Sequence, residues 1–215
     1  MTFFDIVLRT EASLHPDGEL DQFITEHTGV IRCSGDDGVV RRVGKARAYR
    51  IHADLAAGSG EVLFDVCDTH SHEMQSLHAL LYDPEEGHFR EAIANRFHAA
   101  ESDCLVLDFI VLNPKWRGLR LGLLAARKIV DLLGGGCGLV VFHIAPLRND
   151  AHERLRVPQS WLPRHETKEA HHEAVVKLRR HYRQMGFGRI GRSPYYGLSL
   201  AHKTPTLAEL LRRSS

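Results

Sequence analysis

The sequence predicts an α+β domain: a mixed sheet flanked by helices, with an N-terminal β extension. Three observations carry this. Cys104 to Leu112 (CLVLDFIVL) and Leu139 to Ile144 are near-continuous apolar runs, the mark of strands buried on both faces. Between and around them, apolar residues recur at spacings of three and four, the period of amphipathic helices. The first fifty or so residues carry short β-like segments instead. The chain has 215 residues, which suits one domain. Residues 1–60 read as the β extension and 61–215 as the main body.

Phe3 to Leu8 reads as the first strand. Ser34-Gly35-Asp36-Asp37-Gly38 is a turn cluster. Val39 to Arg42 and Ala46 to Ala53 read as two strands joined by a tight turn at Gly44. Leu63, Val66, Cys67, His70, Met74, Leu77 and Leu81 then form one helical stripe. Phe89, Ala92, Ile93 and Phe97 predict a second, shorter helix. After the apolar strand to Leu112, Asn113-Pro114 breaks the chain. Leu119 to Leu133 reads as a helix with the stripe Leu119, Gly122, Leu123, Ala126, Ile129, Val130 and Leu133, closed by three glycines. Leu147 to Lys168 reads as a long irregular loop. Glu169 to Met185 is helical and Gly186 ends it. Phe187 to Ile190 and Tyr195 to Leu200 read as final strands. Thr206 and Glu209 form a capping box for a last short helix.

Bulk properties narrow the function. The formal charge is +1, so no net field favours nucleic acid or a membrane surface. No apolar run is long enough to span a bilayer, and the N-terminus does not read as a signal peptide. Cys33, Cys67, Cys104 and Cys137 lie far apart, with no C-x-x-C, so reduced thiols in a cytoplasmic protein are expected.

The stretch Asp68-Thr69-His70-Ser71-His72 raises a metal-dependent hydrolase, whose His-x-His ends a barrel strand. The helical stripe argues against it. On one helix His70 and His72 stand about 200° apart, and such a barrel takes about 250 residues. His165, Glu166, Glu169, His171, His172 and Glu173 form a second cluster, which reads as a solvated helix start. No metal is expected.

The segment VLNPKWRGLRLGLLAARKIV is the most informative. A buried strand passes through Asn-Pro into a basic, Gly-containing turn that opens a helix. Unpaired N–H groups at a helix start bind phosphate. Gly118 and Gly122 leave room for a ligand, and Arg117 and Arg120 add charge. Asp108 and His143 interrupt otherwise apolar strands. A buried carboxylate needs a partner or a task, and an imidazole can relay protons near neutral pH.

Arg117-Gly118-Leu119-Arg120-Leu121-Gly122 resembles the phosphate turn (Gln/Arg)-x-x-Gly-x-(Gly/Ala) of the GCN5-related N-acetyltransferases, the GNAT superfamily. The first and last positions match, and Arg120 stands where the family has its middle glycine. Downstream, Leu178 to Phe187 (LRRHYRQMGF) is similar to the family's helix ending in Tyr-x-x-x-Gly-Phe, and Ser193 to Leu200 to its last strand. The resemblance covers about Leu63 to Leu200 in element order. It implies a largely antiparallel central sheet and acetyl-CoA, or another acyl-CoA, as co-substrate. The backbone of Ile110, Val111 and Leu112 would follow the pantetheine. The turn from Arg117 through Gly118, Leu119, Arg120 and Leu121 to Gly122 would hold the pyrophosphate. Tyr182 would protonate the leaving thiolate, and Asp108 or His143 would handle the proton of the amine acceptor. That acceptor is a small molecule or a peptide. A non-catalytic acyl-CoA-binding protein of the same fold is the alternative, and the oligomeric state is open, a homodimer included.

Overall fold

The structure is a computed structural model that describes residues 2–11, 20–147, 149–163 and 167–212. A seven-stranded sheet forms its centre in the order β1-β2-β3-β4-β5-β7-β6. The strands are β1 (Phe3–Thr10), β2 (Ile24–Ser34), β3 (Val40–Ile51), β4 (Cys104–Leu112), β5 (Leu139–His143), β6 (Gly188–Arg189) and β7 (Tyr195–Ser199). Every neighbouring pair is antiparallel except β4 with β5, which is parallel. A parallel pair needs a crossover, and the helix α5 (Leu121–Leu133) supplies it.

Both sheet faces are covered, which explains the continuous apolar runs of β4 and β5. On one face lie α1 (Ala53–Gly58), α2 (Leu63–His70), α3 (His72–Leu81) and α4 (Glu91–Phe97). Their apolar residues join Val106, Val141 and Ile51 in one core. On the other face α5, the end of α7 (Lys168–Arg183) and α8 (Leu207–Arg212) pack against Leu105, Leu107, Val140 and Phe142. The Thr206 capping box is present: the Thr206 N–H donates to Glu209 (2.7 Å) and the Glu209 N–H to the Thr206 hydroxyl (3.2 Å).

Five features differ from the sequence reading. Gly44 makes no turn, and β3 runs unbroken from Val40 to Ile51. A Cβ at Gly44 would stand 2.8 Å from the Val111 carbonyl oxygen, so the glycine marks a close backbone approach. The stripe from Leu63 to Leu81 is two helices. Ser71 is extended (φ −174°, ψ 155°) and its hydroxyl caps α3 by accepting from the Met74 N–H. Helix α5 begins at Leu121, which leaves Leu119 outside it and 51% exposed. The segment after Leu147 is no bare loop. It holds α6 (His152–Leu155) and short 3-10 turns, and Leu155, Val157, Trp161 and Leu162 pack on Phe109 and Val111. β2 was not anticipated.

All four cysteines are free and buried. Among the described residues no helix is long and apolar enough to cross a membrane.

His27 and His78 are buried at 7% and 2% exposure. Burial, joined by nearby cationic groups, holds both below the usual imidazole range. The unfolded chain protonates these rings near pH 6.5, while the folded protein resists until lower pH. Unfolding therefore takes up protons below that point, and stability falls with pH there. We expect a lower melting temperature at about pH 5 than at about pH 7.5. His78→Phe should flatten that dependence in thermal melts; an unchanged slope would remove His78 as a cause.

Candidate functional site

The parallel pairing of β4 with β5 runs from Cys104 opposite Leu139 to Leu107 opposite Phe142 and then stops. β4 continues to Leu112, still paired with β3 on its other side. The register with β3 shifts at this point: Leu107 faces Ala48 and Phe109 faces Arg47, so Asp108 is the extra residue of a β-bulge. A bulge bends its strand and increases the local twist. Beyond it β4 leaves β5, and a cavity of about 730 Å³ fills the gap. Asp108 to Leu112 form one wall and Phe142 to Leu147 another. The turn of Arg117, Gly118 and Arg120 closes one end, beside Leu178, His181 and Tyr182 of α7.

The closing turn follows from local chemistry. The Asn113 side chain accepts from the Lys115 N–H, which starts a 3-10 turn at Pro114. Gly118 takes φ +83°, a conformation open to glycine. Arg120 takes φ +59°, the left-handed region, and is the N-cap of α5. Among the described residues no side chain caps this helix, and its first turn holds no acidic residue. Its opening N–H groups and dipole are thus available to an anion. A Cβ at Gly122 would stand 3.5 Å from the Tyr182 hydroxyl oxygen, so this position borders the cavity closely.

Arg117 and Arg120 are more constrained than the sequence suggested. The Arg117 guanidinium donates to the Leu112 carbonyl (3.2 Å) and to that of Trp161. Arg120 donates to the Leu210 carbonyl of α8. Both brace the turn as well as charging it.

Tyr182 is buried, its ring edge-on to Phe142 at 4.8 Å. Burial pushes its hydroxyl well above the ordinary phenol range, so it stays protonated.

The other end of the cavity is polar. Arg47 Nε donates to Asp108 at 2.5 Å, with the carboxylate 9% exposed. The same guanidinium lies over the rings of Tyr49 and Phe109, at 5.3 Å each. His143 ends β5 with its ring 5.1 Å from Tyr195. Burial lowers its proton affinity, and the Asp108 charge partly restores it. Tyr195 is pushed up to about 12 by burial, Glu73 and Asp108.

Glu73 was not singled out in the sequence; Asp65 and Asp68 are further acids of the same region. Those two are exposed, and Asp68 accepts from Gln75 at 2.5 Å. Glu73 sits half-buried in the first turn of α3. Burial and the Asp108 carboxylate raise its proton affinity, with Arg154 and Arg47 opposing. The structure thus sets Asp108 and His143 in the cavity wall, with Tyr195 against His143 and Glu73 within electrostatic reach of Asp108, and the turn with Tyr182 at the other end.

His70 and His72 sit on successive helices. His70 packs edge-on against Tyr49, and exposed His72 bonds Gln75. Among the described residues no group of three or more His, Cys, Asp or Glu side chains is placed to hold a metal ion. His165 and Glu166 lie outside the described residues; Glu169, His171, His172 and Glu173 are exposed.

Compared with protein-family models, curated proteins and solved structures, the chain matches none.

Arg120 tests the turn directly. Arg120→Ala and Arg120→Gly both remove the bond to Leu210, but only glycine relieves the left-handed backbone. Arg120→Gly should be more stable than Arg120→Ala by about 1 kcal/mol in urea denaturation. Equal stabilities would place Arg120 in an ordinary backbone region.

Proposed function

We propose that the protein is an acyl-CoA-dependent N-acyltransferase that transfers an acyl group, acetyl in the simplest case, to an amine. The observation that carries this reading is the opened edge of β4, which runs from a buried acid to the uncapped start of a helix. An extended ligand with an amide-bearing arm and a diphosphate matches both ends of such a slot. The resemblance of Arg117 to Gly122 and of Leu178 to Phe187 to the GNAT superfamily supports the same ligand.

In this reading the N–H groups at the start of α5 receive the diphosphate. The backbone of Ile110, Val111 and Leu112 follows the pantetheine arm, and the thioester lies near the bulge at Asp108. The amine enters from the side of α3 and gives up a proton. Glu73 is the better acceptor for it, since Asp108 is already committed to Arg47. The free amine attacks the thioester carbonyl carbon, the surplus proton on nitrogen passes to solvent, the C–S bond breaks, and the electron pair leaves on sulfur; solvent restores the Tyr182 proton after turnover. Tyr182, kept protonated by burial, donates its proton to that thiolate. His143 and Tyr195 shape the acceptor end. Amino acids, polyamines, antibiotics, peptide N-termini and lysine side chains are all acceptors of the right chemistry.

Thiol release against a panel of amines tests the reading. Turnover with at least one amine is expected. Tight acetyl-CoA binding with no turnover would favour a non-catalytic acyl-CoA-binding protein. Gly122→Glu places a negative charge and bulk at the phosphates, and calorimetry should find CoA binding abolished; unchanged affinity would remove the site. Tyr182→Phe should lower kcat about 100-fold with little change in KM. Equal turnover would end its acid role. In the wild type the rate should climb with pH as Glu73 ionises, above the usual carboxylate range. That limb should vanish in Glu73→Gln, and a persisting limb would assign it elsewhere.

A further inference from the structure

The outer edge of the sheet carries a separate message, independent of the acyltransfer reading. β1 pairs with β2 along its whole length, from Phe3 opposite Ser34 to Thr10 opposite His27, without a register shift. Among the described residues no strand pairs with its other side. Its backbone groups on that side form a template for another strand. Edge strands are commonly blunted by short length, proline, lysine or a bulge. β1 has eight residues (FFDIVLRT), no proline and no lysine. The opposite edge strand, β6, has only two residues.

Side chains alternate along β1. Ile6 and Leu8 pack inward, near where a Cβ at Gly29 would stand, at 3.3 and 3.1 Å. Phe4 shares their face and rests edge-on against Trp116 at 5.5 Å. The other face carries Phe3, Asp5, Val7 and Arg9. Phe3 is 62% and Val7 42% exposed, and Val7 stands between the opposite charges of Asp5 and Arg9.

We propose that β1 pairs antiparallel with β1 of a second copy of this chain, about a two-fold axis at Val7. This register sets Val7 against the partner's Val7 and Asp5 against the partner's Arg9. By symmetry Arg9 meets the partner's Asp5, giving two opposite-charge pairs in one ladder. Centring the axis on Asp5 or on Arg9 sets like charges face to face. Centring it on Ile6 sets Asp5 against valine. The spacing of the two charges therefore selects one register and a self-complementary partner. Asp5 and Arg9 keep their exposed intrachain partners, Arg32 at 2.6 Å and Glu11 at 3.2 Å, which orient them on this face.

Sedimentation equilibrium of the full chain tests the pairing. The wild type should be a dimer at micromolar concentrations. Asp5→Arg sets positive charges opposite each other twice, and Arg9→Asp does the same with negative ones. Each should weaken the dimer about tenfold. The double exchange Asp5→Arg with Arg9→Asp restores both pairs and should recover the wild-type constant, which controls for the lost bond to Arg32. Circular dichroism checks that each variant is folded. A wild type that stays monomeric overturns the proposal. So does a dimer indifferent to the exchanges, or one that the double exchange fails to restore.

Discussion

The separation of β4 from β5 at Leu107 and Phe142 is the constraint on which the rest depends. Two parallel strands that stay paired leave no room between them. Here the bulge at Asp108 turns β4 toward β3, and the pairing with β5 is given up. The backbone past the bulge then borders a cavity instead of a strand. Because β4 leads straight into the turn before α5, the same divergence brings a helix start to the end of that cavity. A strand edge, a space and an uncapped helix are thus one feature of the chain.

The two sheet faces divide the labour. The α5 and α7 face presents the turn, Gly122 and buried Tyr182. The α3 face presents Glu73, Asp108 and His143. Arg47 neutralises Asp108 there while its plane covers two aromatic rings, which keeps a buried charge from being isolated. The layer of Leu155 to Leu162 packs on Phe109 and Val111 and is tied to the turn through Arg117 and the Trp161 carbonyl. The wall of one end is therefore fastened to the floor of the other.

Much of this was legible in the residues. β4 and β5 are buried on both faces, so their apolar runs are nearly continuous, and the stripe of α5 is strong because it is buried too. The two polar interruptions, Asp108 and His143, do stand at the cavity. β2 was hidden because its inward positions include His27 and Gly29, which break the apolar alternation. Gly44 looks like a turn in sequence because turns and close backbone contacts both require a missing Cβ. Glu73 was missed for a geometric reason. The groups that act on it, Asp108, Arg154 and Arg47, are all distant in sequence and meet it only through the fold. The bulge itself leaves no sequence signal: nothing in CLVLDFIVL says that Asp108 has no residue opposite it on β3.

Amide hydrogen exchange with and without acetyl-CoA tests the central claim most directly, because it reports both binding and its place. The account predicts new protection confined to the backbone from Ile110 to Leu112 and to the turn and first residues of α5, Gly118 to Gly122. Absence of protection there, or protection only elsewhere, would contradict it.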